Sequence, residues 1–162
     1  MSSILKVDTI QNTGGTTGLT IDNSGRVLNP NIPYGQFGGP SSTTSGGNII
    51  TFAGRIVSGG GMTADSTNHR MIVPVAGLYA IGFTQLVDNV SNNTLCYMRK
   101  NGTKINGTTA QTAANSQYGS MTIHHLISLA ANDYIDWWCQ GGTIYAGDST
   151  YSYNNHYIYL LG

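Results

Sequence analysis

The sequence contains no glutamate; its seven acidic residues are all aspartates, set against seven Lys and Arg. Zero net charge with the signs interspersed removes the electrostatic footprint of a nucleic-acid or membrane-surface binder. Leu and Lys, which fill helices, are also sparse, which argues against a helical protein. Long apolar runs are missing. The most apolar window, 71–83, is broken by Pro74 and Gly77 and is too short to span a bilayer. Met1 to Val7 has no basic stretch ahead of a sustained apolar one, so no signal peptide is readable and no membrane insertion is expected. Cysteine is limited to Cys96 and Cys139 without CxxC spacing, which reads as two buried free thiols in preference to a disulfide. No G-x-S-x-G, HExxH or phosphate-loop motif occurs.

Gly, Thr, Asn and Ser are abundant, filling 70 of 162 positions. Together with β-branched residues and Tyr they describe short strands cut by turns. Three zones follow. Residues 1–28 alternate apolar and polar in two runs, the second holding the turn Asp22-Asn23-Ser24-Gly25, and read as a small β-rich segment. A lone hairpin is marginal in water, so this segment requires a partner. Residues 29–48, rich in Gly, Ser, Pro and Thr, read as a linker. Residues 49–162 read as an antiparallel sandwich or barrel, with strands over 49–57, 70–73, 77–87, 94–100, 104–105, 120–128, 134–139 and 156–161. Asn101-Gly102 is the sharpest hairpin signal in the chain.

The last strand is apolar or aromatic on both faces. Alternate positions from Tyr151 carry Tyr153, Asn155, Tyr157, Tyr159 and Leu161; the others carry His156, Ile158 and Leu160. A strand with two such faces fills a core with one and meets something else with the other. Tyr joins an apolar ring to a polar tip, which suits a subunit interface, so Tyr153, Tyr157, Tyr159 and Leu161 are expected against another copy of the chain. A thicker single core is the alternative.

Residues 68–81, Asn-His-Arg-Met-Ile-Val-Pro-Val-Ala-Gly-Leu-Tyr-Ala-Ile, resemble the C1q/TNF-like jelly-roll family, in which an apolar strand, Pro and Gly-hydrophobic-Tyr lead into a second strand. Arg99-Lys100-Asn101-Gly102 is similar to the family's Lys-Asn-Gly hairpin. Leu129 to Trp137 resembles its Leu-x-x-Gly-Asp-x-Val signature, with Asn132 where Gly is usual, and residues 157–162 resemble its closing strand. The resemblance implies an all-β antiparallel jelly-roll sandwich that assembles as a homotrimer with the terminal strand near the three-fold axis.

Residues 1–11 and 18–27 resemble the start of virion appendage proteins in tailed bacteriophages. Together the two resemblances imply a non-enzymatic structural protein of the virion, a short tail-fibre-like subunit assembled in the bacterial cytoplasm without secretion. Ile4, Leu5, Val7 and Ile10 of its N-terminal segment would dock on another virion protein. A capsid decoration protein built on the same trimer is the runner-up, and a glycan-binding or glycan-degrading receptor-binding protein the third reading.

No cofactor or metal is expected. His124 and His125 are adjacent on a strand and point to opposite faces, so the two do not readily share an ion; one His from each of three subunits on a three-fold axis is the arrangement left open. Asp133 and Asp136 are likewise placed on opposite faces, a poor arrangement for paired-carboxylate catalysis. The loop over 141–151 has the composition of a host-glycan contact through Tyr145, Asp148 and Tyr151; an ordinary polar loop is the other reading of the same residues.

Overall fold

The computed structural model describes residues 7–40, 43–87, 93–113, 118–146 and 153–162, apart from the side chains of 53–55. It comprises two compact units, Met1–Ile32 and Pro33–Gly162, and no helix occurs among the described residues.

The first unit is a three-stranded antiparallel sheet of β1 (Thr9–Gln11), β2 (Thr17–Ile21) and β3 (Val27–Leu28). Side chains that mimic backbone build both of its turns. Asn12 Oδ1 accepts from the N–H groups of Gly14 and Thr16, both at 2.9 Å. Asp22 Oδ1 accepts from those of Ser24 and Arg26, while Arg26 Nε donates to Asp22 Oδ2 at 2.6 Å. No described residue of this unit is buried. Among its described residues, order therefore rests on turns and ladders.

The second unit is a two-sheet sandwich. One sheet runs in the order β14 (Gly119–Leu129), β10 (Gly77–Val87), β17 (Asn155–Leu160), β4 (Tyr34–Gly38) and β7 (Ala53–Gly59). At the Val87 end of β10 it continues through β16 (Thr143–Ile144) to β5 (Thr44–Ser45). The opposing sheet centres on β11 (Thr94–Lys100) and β15 (Tyr134–Gly141). Beside β11 lie β12 (Thr103–Lys104) and β13 (Ala110–Thr112). Beside β15 lie β6 (Asn48–Ile49) and β9 (Arg70–Ile72), with β8 (Thr63–Asp65) outermost. Every pairing is antiparallel.

The period-two pattern sets which side chains meet in the middle. On β10, Tyr79, Ile81, Phe83, Gln85 and Val87 are completely buried. From the facing sheet come Cys96, Met98, Ile135, Trp137 and Cys139, also completely buried. Trp137 Nε1 donates to the carbonyl of Gly82 at 3.1 Å, tying the sheets together across the core. Phe37 of β4 stacks on Phe52 and His156, with centroids 3.8 and 4.3 Å apart, and meets Trp137 edge-on at 5.0 Å. Cys96 and Cys139 stand opposite each other in register as free thiols.

The Pro-Val-Ala-Gly-Leu-Tyr string closes one corner: the Tyr79 hydroxyl donates to the Val75 carbonyl at 2.9 Å. Asn101 and Gly102 have φ of 50° and 79°, the positive angles that a two-residue hairpin between β11 and β12 requires. Asn132 takes φ 70°, a left-handed position where Asn stands in for Gly. Relieving that strain by Asn132→Gly should hold or raise stability by up to about 1 kcal/mol, whereas Asn132→Val should cost at least about 1 kcal/mol in urea denaturation.

Residues 29–48 depart from the composition-based expectation of a linker. Within them, Tyr34–Gly38 is a strand between β17 and β7, and Thr44–Ser45 and Asn48–Ile49 add short edge pairings. Glycine-rich backbone here permits close packing: a Cβ on Gly35 would lie 2.9 Å from Met71 Sδ, and one on Gly39 would strike the Asn154 side chain.

Candidate functional site

The outward face of the β14–β10–β17–β4–β7 sheet is organised in rungs set by strand register. One rung crosses Leu126, Ala80, Tyr159, Tyr34 and Gly59. The next crosses His124, Gly82, Tyr157, Gln36 and Val57, and a third crosses Thr122, Thr84, Asn155 and Gly38. Leu78 and Leu161 lie beyond the first rung, joined by the Leu161 N–H donating to the Leu78 carbonyl at 2.8 Å.

Polar groups on this face bond to one another. The Tyr157 hydroxyl is hydrogen-bonded to Nδ1 of His124, Gln36 Nε2 donates to Asn155 Oδ1, and the hydroxyls of Thr84 and Thr122 meet at 3.2 Å. Burial, with Tyr159 alongside, raises the Tyr157 phenol above its ordinary pKa, so it remains a protonated hydroxyl. Glycines form the floor beneath two of the rings. A Cβ on Gly82 would lie 2.6 Å from the Tyr157 hydroxyl and 2.7 Å from the Ile123 carbonyl; one on Gly59 would lie 2.6 Å from the Tyr34 ring.

Apolar groups remain open. Tyr34, Val57, Leu78, Leu126, Tyr159 and Leu161 are each at least 40% exposed, an unusual concentration for one side of a small domain. Tyr157 and Tyr159 stack at 5.7 Å and make a ridge along β17. Shallow grooves of about 450 and 550 Å³ flank it, one beside Tyr34 and Gln36, the other beside Ala80, His124 and Leu126.

Tyr157, Tyr159 and Leu161 therefore share one face, as strand alternation predicts, but Tyr153 does not join them in the strand. β17 begins at Asn155, because Asn154 turns inward: its Oδ1 accepts from the Leu86 N–H at 2.7 Å and its Nδ2 donates to the Tyr145 carbonyl at 2.8 Å. Tyr153 instead packs edge-on against Tyr145 at 6.2 Å, and Tyr145 against Tyr118 at 5.0 Å. The expected interface and glycan residues thus meet in a separate tyrosine cluster. Asp148 and Tyr151 lie outside the described residues, as do Ile4 and Leu5; Val7 is half-buried and Ile10 is 51% exposed on the first unit.

His124 faces outward and His125 is half-buried on the other side of β14. Among the described residues no three His, Cys, Asp or Glu side chains come together as a metal site. Asp133 and Asp136 belong to ion pairs: Lys100 Nζ lies 2.7 Å from Asp133, and Arg99 grips Asp136 through two bonds of 2.6 and 3.0 Å. Sequence reasoning misses Tyr34, Gln36, Leu78, Gly82 and Leu126, since long-range register brings them to the face. The alternation in Tyr-Gly-Gln-Phe-Gly is the one local sign of β4.

No protein-family model matches the chain, and neither does any curated protein. Among solved structures, the Eiger TNF structure from S. frugiperda is similar, with a TM-score of 0.62 at 10% sequence identity, covering 81% of this chain and 93% of that one. At that identity the likeness speaks to architecture alone, and it agrees with the all-β, antiparallel two-sheet arrangement. The chain is an all-β protein with a TNF-like antiparallel jelly-roll fold.

Proposed function

We propose that this chain is a non-enzymatic structural subunit of a tailed-bacteriophage virion, a short appendage whose jelly roll assembles as a homotrimer and whose N-terminal segment docks on another virion protein. The observation that carries the self-association is the ridge of Tyr157 and Tyr159 between two grooves, with Leu78, Leu126, Leu161 and Tyr34 exposed around it. Removing such a patch from water is the usual driving force for permanent assembly. Docking is supported by the first unit, whose described residues form three strands and include none that is buried, so that a partner would supply the missing apolar cover. The virion context rests on the resemblance of residues 1–11 and 18–27 to appendage proteins.

Light scattering tests the assembly. The full chain and a version beginning at Pro33 should both have three times their chain mass, 17.2 kDa for the full chain. Leu126→Asp and Tyr159→Asp place charges at positions exposed in the single subunit, so they should leave a folded monomer. A monomeric wild type, or a trimer retained in both variants, would refute the interface. Mass spectrometry of purified virions, with peptides of this chain as the readout, checks its location.

A further inference from the structure

The opposite sheet has a different outer surface. There β11 and β15 present Tyr97 opposite Trp138 and Arg99 opposite Asp136. The Arg99 guanidinium lies 4.0 Å from the centroid of the Trp138 ring and is itself held by the buried carboxylate of Asp136. The indole is thus fixed before any ligand arrives. Beside it, β5 and β6 wall a cleft of about 600 Å³ lined by Trp138, Ile49, Thr43, Ser45, Asn48 and Thr51. Asn48 Nδ2 donates to the carbonyls of Ser45 and Gly46 at 3.1 and 3.4 Å, which orients the amide. No hydrogen bond among the described residues engages Asn48 Oδ1 or the hydroxyls of Thr43, Ser45 and Thr51.

We propose that this cleft is a binding site for a neutral saccharide, with the apolar face of a pyranose ring against Trp138 and Ile49 and its hydroxyls bonded to Thr43, Ser45, Asn48 and Thr51. The chemistry of the lining selects the class. A rigid aromatic wall joined to hydroxyls and an amide oxygen that make no described hydrogen bond matches a ring with one C–H face and a rim of hydroxyls. A metal ion would need carboxylates, and an acidic glycan would need a cation in the lining; the cleft has neither. The cleft sits between the β5 end of the ridge sheet and the β6–β15 part of the opposing sheet, and none of its lining residues belongs to the tyrosine ridge or its flanking grooves; several copies in one assembly would strengthen weak single-site binding.

Fluorescently labelled full-length protein on an array of neutral and acidic bacterial oligosaccharides tests the site. Binding to neutral members is expected, weakened about tenfold or more by Trp138→Ala. Thr43→Trp fills the cleft from an exposed position and should remove binding while the circular dichroism spectrum stays unchanged, which covers the case in which Trp138→Ala fails to fold. In saturation-transfer NMR with the strongest neutral ligand, the C–H protons of one sugar face should receive most of the signal. Absence of binding across the array, binding confined to acidic members, or binding unaltered in folded Thr43→Trp would each overturn the proposal. Because light scattering on the same samples reports assembly separately, failure of the site is distinguishable from failure of the trimer.

Discussion

Lowering the pH from 7 to 4 should cost the jelly roll about 3 kcal/mol, and His156→Gln should remove most of that dependence. His156 is completely buried between Phe37, on which it stacks, and the edge of Trp137 at 5.6 Å. Its Nε2 lies 2.6 Å from Gln85 Nε2, so with the amide donating, the ring accepts as a neutral imidazole. Burial lowers its pKa from 6.5 to about 3. The unfolded chain therefore takes up a proton near pH 6.5 that the folded chain refuses until about pH 3. Stability is complete above 6.5 and falls by about 1.4 kcal/mol per pH unit below it, levelling off near 3. The carboxylates act lower. Hydrogen bonds from Asn68 bring Asp65 down to about 2, and Asp133, held by Lys100, is also shifted below its ordinary 3.8. Between pH 6.5 and 4 the slope consequently isolates the histidine from these acids. Urea midpoints at pH 7 and 4.5 measure it. His156→Gln should be less stable than wild type at pH 7 through lost stacking, yet nearly flat across the window; an unchanged slope would show that His156 is not the source.

Breaking the Arg99–Asp136 pair should cost about as much. Asp136→Asn keeps the shape and removes the charge, leaving a guanidinium whose side chain is only 15% exposed without its counter-ion. A loss of about 3 kcal/mol is expected, at the lower end for a buried pair because Arg99 keeps some contact with water. Replacing both partners, Arg99→Met with Asp136→Leu, should recover most of the loss, since no charge is then stranded. Equal destabilisation by the single and double variants would instead mean that packing of Arg99 on Trp138 matters more than the charge. The pair also bears on the question of catalysis. Asp136 is the most buried carboxylate with a described position and is fully used by Arg99, so any activity lost with it would first have to be separated from lost folding.

Much of the fold is legible in the sequence where local chemistry decides. The strands 77–87 and 94–100 begin and end where apolar alternation places them, because each side chain's face depends only on its own parity. Asn101-Gly102 and Asn132 announce positive φ by residue type alone. β4 is hidden for the opposite reason. Its glycines look like linker, and their purpose appears only against Met71 and Asn154, residues distant in sequence. The two- and three-residue strands β5, β8, β13 and β16 carry too few positions for any period to show. The tyrosine ridge is readable from parity in the last strand, whereas the leucines, glycines and Tyr34 around it depend on pairings that only the folded chain reveals. Tyr153 has the right parity and still departs, since inward-turned Asn154 ends the strand before it.

The position of β4 has a mechanical consequence. The chain enters the jelly roll at Pro33, whose carbonyl accepts from the Leu160 N–H at 2.9 Å, and runs directly into a strand bonded on both sides, to β17 and to β7. Tension applied along the axis of β4 loads two antiparallel ladders in shear, so their hydrogen bonds share the force and do not open one at a time from an end. A tether joined to an edge strand would peel away. Under a pull in that direction, the interior placement of the first strand makes the point where the chain enters the jelly roll resist by shear.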